Sequence, residues 1–159
     1  MPNWCMNTVT ITGDAAKLKA LYDAAESGAL LEHMVPIGEW DYGTAIDAWG
    51  TKWDVTECSA DLTDNQLTLN FDTAWGPPTT AYTNYTDAND DMHIEASYYE
   101  PGMAFVGNYD SGLDIDQSYE IDYEDEDWAE DIPQDLIDEW GLDYEYEMWK
   151  EWQDEEEDA

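Results

Sequence analysis

Apolar side chains recur first at period two and then at helical spacing in the opening thirty residues. TVTIT at residues 8–12 alternates β-branched groups and ends at Gly13, which predicts a strand. Asp14 is a good N-cap for AAKLKALYDAAESG, in which Leu18, Leu21, Tyr22 and Ala25 share one helical face and Gly28 supplies the stop. The next stretch holds Pro36, Gly38, Gly43 and Gly50 and predicts a loop or short irregular region. KWDVTECSADL and QLTLNFDTAW alternate at period two about TDN, as the arms of a hairpin do. Pro77 and Pro78 end the second arm, and Ala81, Tyr82 and Tyr85 place a short helix in PPTTAYTNYTDAND. MHIEASYYEPG predicts a strand, with MAFVGNYD as another across the turn at Pro101 and Gly102.

The order is therefore strand, helix, strand, strand, helix, strand. It predicts an α+β fold of the ferredoxin-like, split βαβ kind, an antiparallel sheet with helices on one face, over residues 1–112. Residues 113–153 form an acidic, partly helical extension expected to pack on that domain. LDIDQSYEIDY within it suits an added strand. IPQDLIDEWG has Pro133 at a helix start, Ile132, Leu136, Ile137 and Trp140 at helical spacing, and Gly141 as the stop. In YEYEMWKEWQ the aromatic and apolar groups recur at Tyr144, Met148 and Trp152, with Tyr146 and Trp149 nearby, and predict a packing surface. Only DEEEDA at 154–159 reads as a disordered tail.

Charge changes the picture most. The 159 residues carry 40 acids against four lysines and no arginine, a net charge of −36. With 43% hydrophobic and 14% aromatic content the chain can still bury a core, which separates it from disordered polyanions. Self-repulsion of this size opposes compaction. It disfavours direct nucleic-acid binding, which needs cations to displace phosphate counterions, and an anionic membrane surface. Residues 113–159 hold 22 acids and one lysine, a net −21, so the extension is the denser part. Its start, IDYEDEDWAED at 121–131, places seven carboxylates around Tyr123 and Trp128. The opening MPNWCMNTVT has neither a basic n-region nor an apolar h-region, and no apolar run approaches a membrane span, so a cytoplasmic protein with free thiols at Cys5 and Cys58 is expected.

Four short motifs lie between the predicted elements: PNWCMN at 2–7, WGTKWD at 49–54, FDTAWGPP at 71–78 and YYEPGMAFVG at 98–107. Together and in this order they resemble the YubB-type ferredoxin-like family of phages and conjugative plasmids, over about residues 1–112. The resemblance implies a ferredoxin-like fold and a mobile-element origin, and it implies no catalytic residues. The acidity and the Trp-rich extension depart from it.

Few constellations carry chemistry. Trp49, Lys52, Trp53 and Trp75, with Asp54, suit an aromatic cleft in which Lys52 meets an acidic group; the competing reading buries the tryptophans under loops and pairs Lys52 with Asp54. His33, His93, Cys5 and Cys58 fall in no nucleophile–base signature, and no CxxC or HxxxH spacing supports zinc. DIDQSYEID and DANDDMHIE lack the sixth-position glycine of a calcium loop, and no phosphate-binding glycine motif is present. No cofactor, metal or catalytic residue is expected.

The acidic surface itself is left. Asp122, Glu124, Asp125, Glu126, Asp127, Glu130, Asp131, Asp135, Asp138, Glu139, Asp143, Glu145 and Glu147 project from a segment whose apolar positions can anchor it. DNA carries one charge per roughly 1.7 Å of axis, so 36 charges match about 60 Å, or about 18 base pairs. Salt adaptation gives less reason to remove every arginine. The expected function is noncatalytic: a DNA mimic that inhibits a host DNA-binding protein with a basic surface, above all an anti-phage or restriction factor, by analogy with similarly acidic anti-restriction proteins of phages. The alternative is an acidic adaptor or structural protein that binds a basic partner without mimicry. Exposed aromatics in the extension also suit a homodimer.

Overall fold

The computed structural model describes residues 3–158, and side chains as far as residue 155. Within these residues six strands form one sheet: β1 (Trp4–Thr12), β2 (Cys58–Leu62), β3 (Gln66–Ala74), β4 (His93–Glu100), β5 (Phe105–Asp110) and β6 (Ile115–Glu120). Their order is β2-β3-β1-β4-β5-β6, and every neighbouring pair is antiparallel. Among the described residues six helices accompany them: α1 (Ala15–Glu26), α2 (Leu30–Met34), α3 (Tyr42–Trp49), α4 (Thr79–Ala88), α5 (Gln134–Trp140) and α6 (Leu142–Asp158). The protein is α+β.

Period-two alternation divides the sheet into two faces. Val9 and Ile11 of β1, Leu67, Leu69 and Phe71 of β3, and Ile94 and Ala96 of β4 bury one face against α1, α2, α3 and α4. Leu18 and Leu21 of α1 are almost wholly buried there, each contributing about 2 kcal/mol of transfer free energy, and Tyr82 of α4 is buried beside them. The opposite face, carrying Met6, Tyr99 and Val106, is covered over part of its width by residues 121–142 and Tyr146, through Ile121, Trp128, Ile132, Leu136, Ile137 and Leu142. The sheet is thus a wall between two cores. Gly107 lies across from Tyr98 in the β4–β5 register, and a Cβ there would overlap the Tyr98 ring and hydroxyl.

Local caps set the helix boundaries. The Asp14 carboxylate accepts from the Lys17 N–H and starts α1, as its position predicts. The region expected to be irregular contains α2 and α3 instead. Asp41 accepts from the Thr44 N–H and hydroxyl, and Gly50, at φ 83°, closes α3 in the left-handed conformation. The Asp54 carboxylate, from a distant loop, accepts from the Leu31 and Glu32 N–H groups at the start of α2. Strand β1 begins at Trp4 rather than Thr8, and β2 is confined to Cys58–Leu62, leaving residues 52–57 to wrap the sheet edge. Helix α6 runs on through 154–158, where a disordered tail was expected; Ala159 lies outside the described residues.

The aromatic pattern in α6 reverses the expected face. Tyr146 and Trp149 turn inward and join Tyr123 and Trp128 in ring contacts of 5.0 to 6.2 Å. Tyr144, Met148 and Trp152, the stripe expected to pack, are exposed. A helix turn separates residues four apart only slightly in azimuth, so either set satisfies the periodicity; Tyr123 and Trp128 select the inner one.

Trp128 joins the turns of the extension to the sheet's second core, which makes it a test of that linkage. Trp128→Ala is expected to lower stability by about 3 kcal/mol. In urea unfolding, the near-ultraviolet signal of the extension should be lost before the far-ultraviolet signal of the sheet, whereas in the parent chain the two coincide.

Candidate functional site

All thirteen predicted carboxylates, from Asp122 to Glu147, are exposed. Their backbone is held rather than loose. Asp122 accepts from the Glu124 N–H and Asp125 from the Asp127 N–H, so the acids at the start of the segment build its turns. Backbone bonds from Asp125 to Asp122, Trp128 to Asp125 and Glu130 to Asp127 continue the same series. Beneath them Tyr123 meets Trp128 edge-on at 5.0 Å. Two of the thirteen are engaged further: Glu139 accepts from the Ser97 hydroxyl at 2.7 Å, which ties α5 to β4, and Asp138 accepts from the Gln134 amide. Lys150 lies over the Tyr146 ring at 5.3 Å and forms no ion pair among the described residues.

The predicted aromatic set does not assemble as one cleft. Trp49 is buried and donates its indole N–H to the Val35 carbonyl. Trp75 is exposed at a positive φ of 70°, its N–H bonded to the Asn3 carbonyl. Lys52 does not pair with Asp54; its ammonium lies 4.4 Å from the centre of the Trp53 ring and 6.0 Å from that of Tyr42. Asp54 is committed to capping α2 and to the Val55 N–H, and burial raises its pKa above the ordinary value although these bonds favour the charged form.

A cleft does exist beside them, on the part of the second sheet face that the extension leaves open. It has a volume of about 910 Å³. Trp4 and Trp53, 45% and 38% exposed with ring centres 6.2 Å apart, form one wall, and Trp140 at the end of α5 forms another. Met6, Thr8, Asn70 and Asp72 make the floor, with Glu57 at the side. Of the predicted set Trp53 and Asp54 line it, and Trp49, Lys52 and Trp75 do not. Trp4 and Trp140 were missed, although period-two counting back from Thr8 puts Met6 and Trp4 on a common face.

The four sequence motifs converge at this end of the sheet. Trp4 pairs with Ala74 and Asn7 with Phe71, while Met6 pairs with Tyr99. The Thr51 hydroxyl donates to the Ala74 carbonyl, and the Asn7 amide donates to Cys5, Phe71 and Thr73 oxygens. Asn7 and Thr51 are buried, and these bonds satisfy them.

Cys5 and His93 lie apart. Cys5 is near the start of β1, whereas His93 pairs in register with Thr12 at its other end. His93 bonds to Asp110 at 2.6 Å. Burial, reinforced by the charges of Glu100 and Asp72, pushes the Cys5 thiol up to about 12; burial lifts Cys58 to about 11. Among the described residues, no three His, Cys, Asp or Glu side chains converge as a metal cage, and no helix is long and apolar enough to cross a membrane.

No protein-family model, curated protein or solved structure matches this chain. The assignment of function therefore rests on geometry and charge.

Raised thiol pKa values leave both cysteines largely protonated at neutral and mildly alkaline pH. Alkylation by iodoacetamide at pH 8 should be slow for Cys5 and Cys58 in the folded chain and fast after denaturation, with mass spectrometry reading the label at each site.

Proposed function

We propose that the protein is a noncatalytic DNA mimic of phage or plasmid origin that occupies the basic DNA-binding surface of a host protein, most of all an anti-phage or restriction factor. The observation that carries the reading is the acidic segment at 122–147: thirteen exposed carboxylates on a backbone fixed by side-chain turns and by a cluster of four aromatic rings. A mimic of phosphate needs charge at set positions. Holding like charges close together on a surface destabilises the chain alone, and a cationic partner offsets that repulsion by complementarity and rapid, salt-sensitive association. The absence of arginine from the whole chain points the same way.

We also read the fold as ferredoxin-like. β3 lies between β1 and β2, the strands that α1 to α3 connect, and β1 lies between β3 and β4, which α4 connects; this supports the split βαβ arrangement, extended by β5 and β6. The resemblance of residues 1–112 to the YubB-type family supports the mobile-element origin.

One observation favours the adaptor reading instead. Tyr144, Met148 and Trp152 make an exposed apolar stripe on α6, flanked by acids, which suits a helical partner in a groove-like contact that DNA does not make.

Competition separates the two. The partner captured from host lysate should be released by duplex DNA, and its capture should weaken steeply with salt. Replacing Asp135, Asp138, Asp143, Glu145 and Glu147 by their amides should reduce affinity by about tenfold or more, chiefly through slower association. A partner that binds DNA and this protein together would sink the mimic reading and leave the adaptor.

A further inference from the structure

We propose that the tryptophan-lined cleft on the open sheet face is a receptor for an arginine side chain of the basic partner. This rests on the reading of that partner as a protein with a cationic surface.

Three of the four sequence motifs that the anionic face leaves unused meet in this cleft: Trp4 from the first, Trp53 from the second, and Asp72 from the third. Trp4 and Trp53 are each more than a third exposed, which is unusual for a residue that dominates cores; their rings touch one another, and the Lys52 ammonium lies over that of Trp53. Asp72 and Glu57, both exposed, have no hydrogen bond or ion pair to any described side chain. Indole faces next to unpaired carboxylates attract a cation twice over, through the ring quadrupole and through charge. The molecule already displays the first interaction, since the Lys52 ammonium sits 4.4 Å from the Trp53 ring centre.

Guanidinium fits better than ammonium. It is planar, stacks on indole, is weakly hydrated, and can bond a carboxylate with two parallel N–H groups while its stem lies against Met6. Position argues for a protein-borne arginine. Trp140 closes the cleft on one side and ends α5, so the cleft mouth adjoins the helices that carry Asp135 to Glu147. A partner spread over those carboxylates would have a side chain within reach. The anionic face then supplies attraction at a distance, and the cleft supplies a fixed anchor point.

The probe is a capped Gly-Arg-Gly peptide titrated into the full chain, with indole fluorescence as the readout and its citrulline counterpart as a neutral control of the same shape. Saturable binding of the arginine peptide is expected, with the citrulline peptide about tenfold weaker. Asp72→Asn and Trp4→Ala should each weaken the arginine peptide by about the same factor, and Asp72→Asn should do so without a change in melting temperature, because the Asp72 side chain is exposed. The chain with amides at Asp135, Asp138, Asp143, Glu145 and Glu147 should keep its peptide affinity. Equal binding of the two peptides, an unchanged affinity in Asp72→Asn, or loss of binding in the neutralised extension would each overturn the proposal. Peptide binding without competition by DNA at the partner would retain the cleft and remove the mimic; DNA competition without peptide binding would do the reverse.

Discussion

Repulsion among 36 net negative charges is the constraint that the rest of the structure answers. Two exposed charges 4 Å apart in water repel by about 1 kcal/mol, and salt at physiological strength confines the effect to about 8 Å. No single contact is therefore severe, but acids three and four apart along α5 and α6 sum to a steady outward pressure. It is opposed by apolar burial on both faces of one sheet, which places β1, β4 and β5 between two cores. A sheet buried on one side only would leave the extension as charge without a floor.

The few cations are used sparingly. Lys17 and Lys19 pair with Asp91 and Asp23 near α1, on the side of the molecule that carries the first core. Lys52 and Lys150 rest on aromatic rings instead of neutralising carboxylates. The acids of the extension are thus left uncompensated, and their order comes from N–H groups and rings rather than from ion pairs. Trp140 links the acidic extension to the cleft: it packs on Tyr99 of the sheet, ends the helix bearing Asp135, Asp138 and Glu139, and forms a wall of the cleft.

Elements with a strong period and a local cap were legible in the sequence. Asp14 and the Leu18–Leu21 spacing announce α1, the alternation in QLTLNFDTA announces β3, and Gly141 marks the end of α5. What escaped reading depended on distant partners. α2 is five residues long and is capped by Asp54 from beyond α3, which no local window contains. For α3 the local signals, Asp41 and Gly50, were present but were outweighed by the density of glycine. The inward face of α6 was fixed by Tyr123 and Trp128, contributed from another turn, and not by its own spacing. The acidic positions were legible because exposure of a carboxylate follows from its solvation. The cleft was not, since its walls come from residues 4, 53 and 140 and meet only through strand register and the end of α5.

β6 is an edge strand, paired only with β5, and its outer backbone groups face no other strand of the sheet. Such an edge is a template on which separate copies can add strand by strand into a growing fibril. Asp116 and Glu120 stand exposed along it, and their charges keep two like edges from approaching. Partial desolvation lifts Asp116 above the ordinary aspartate value, so it takes up its proton at a higher pH than a free aspartate would. Acidification therefore removes one of this edge's guarding charges sooner than an ordinary aspartate would be lost, and with it part of the protection against self-templated assembly.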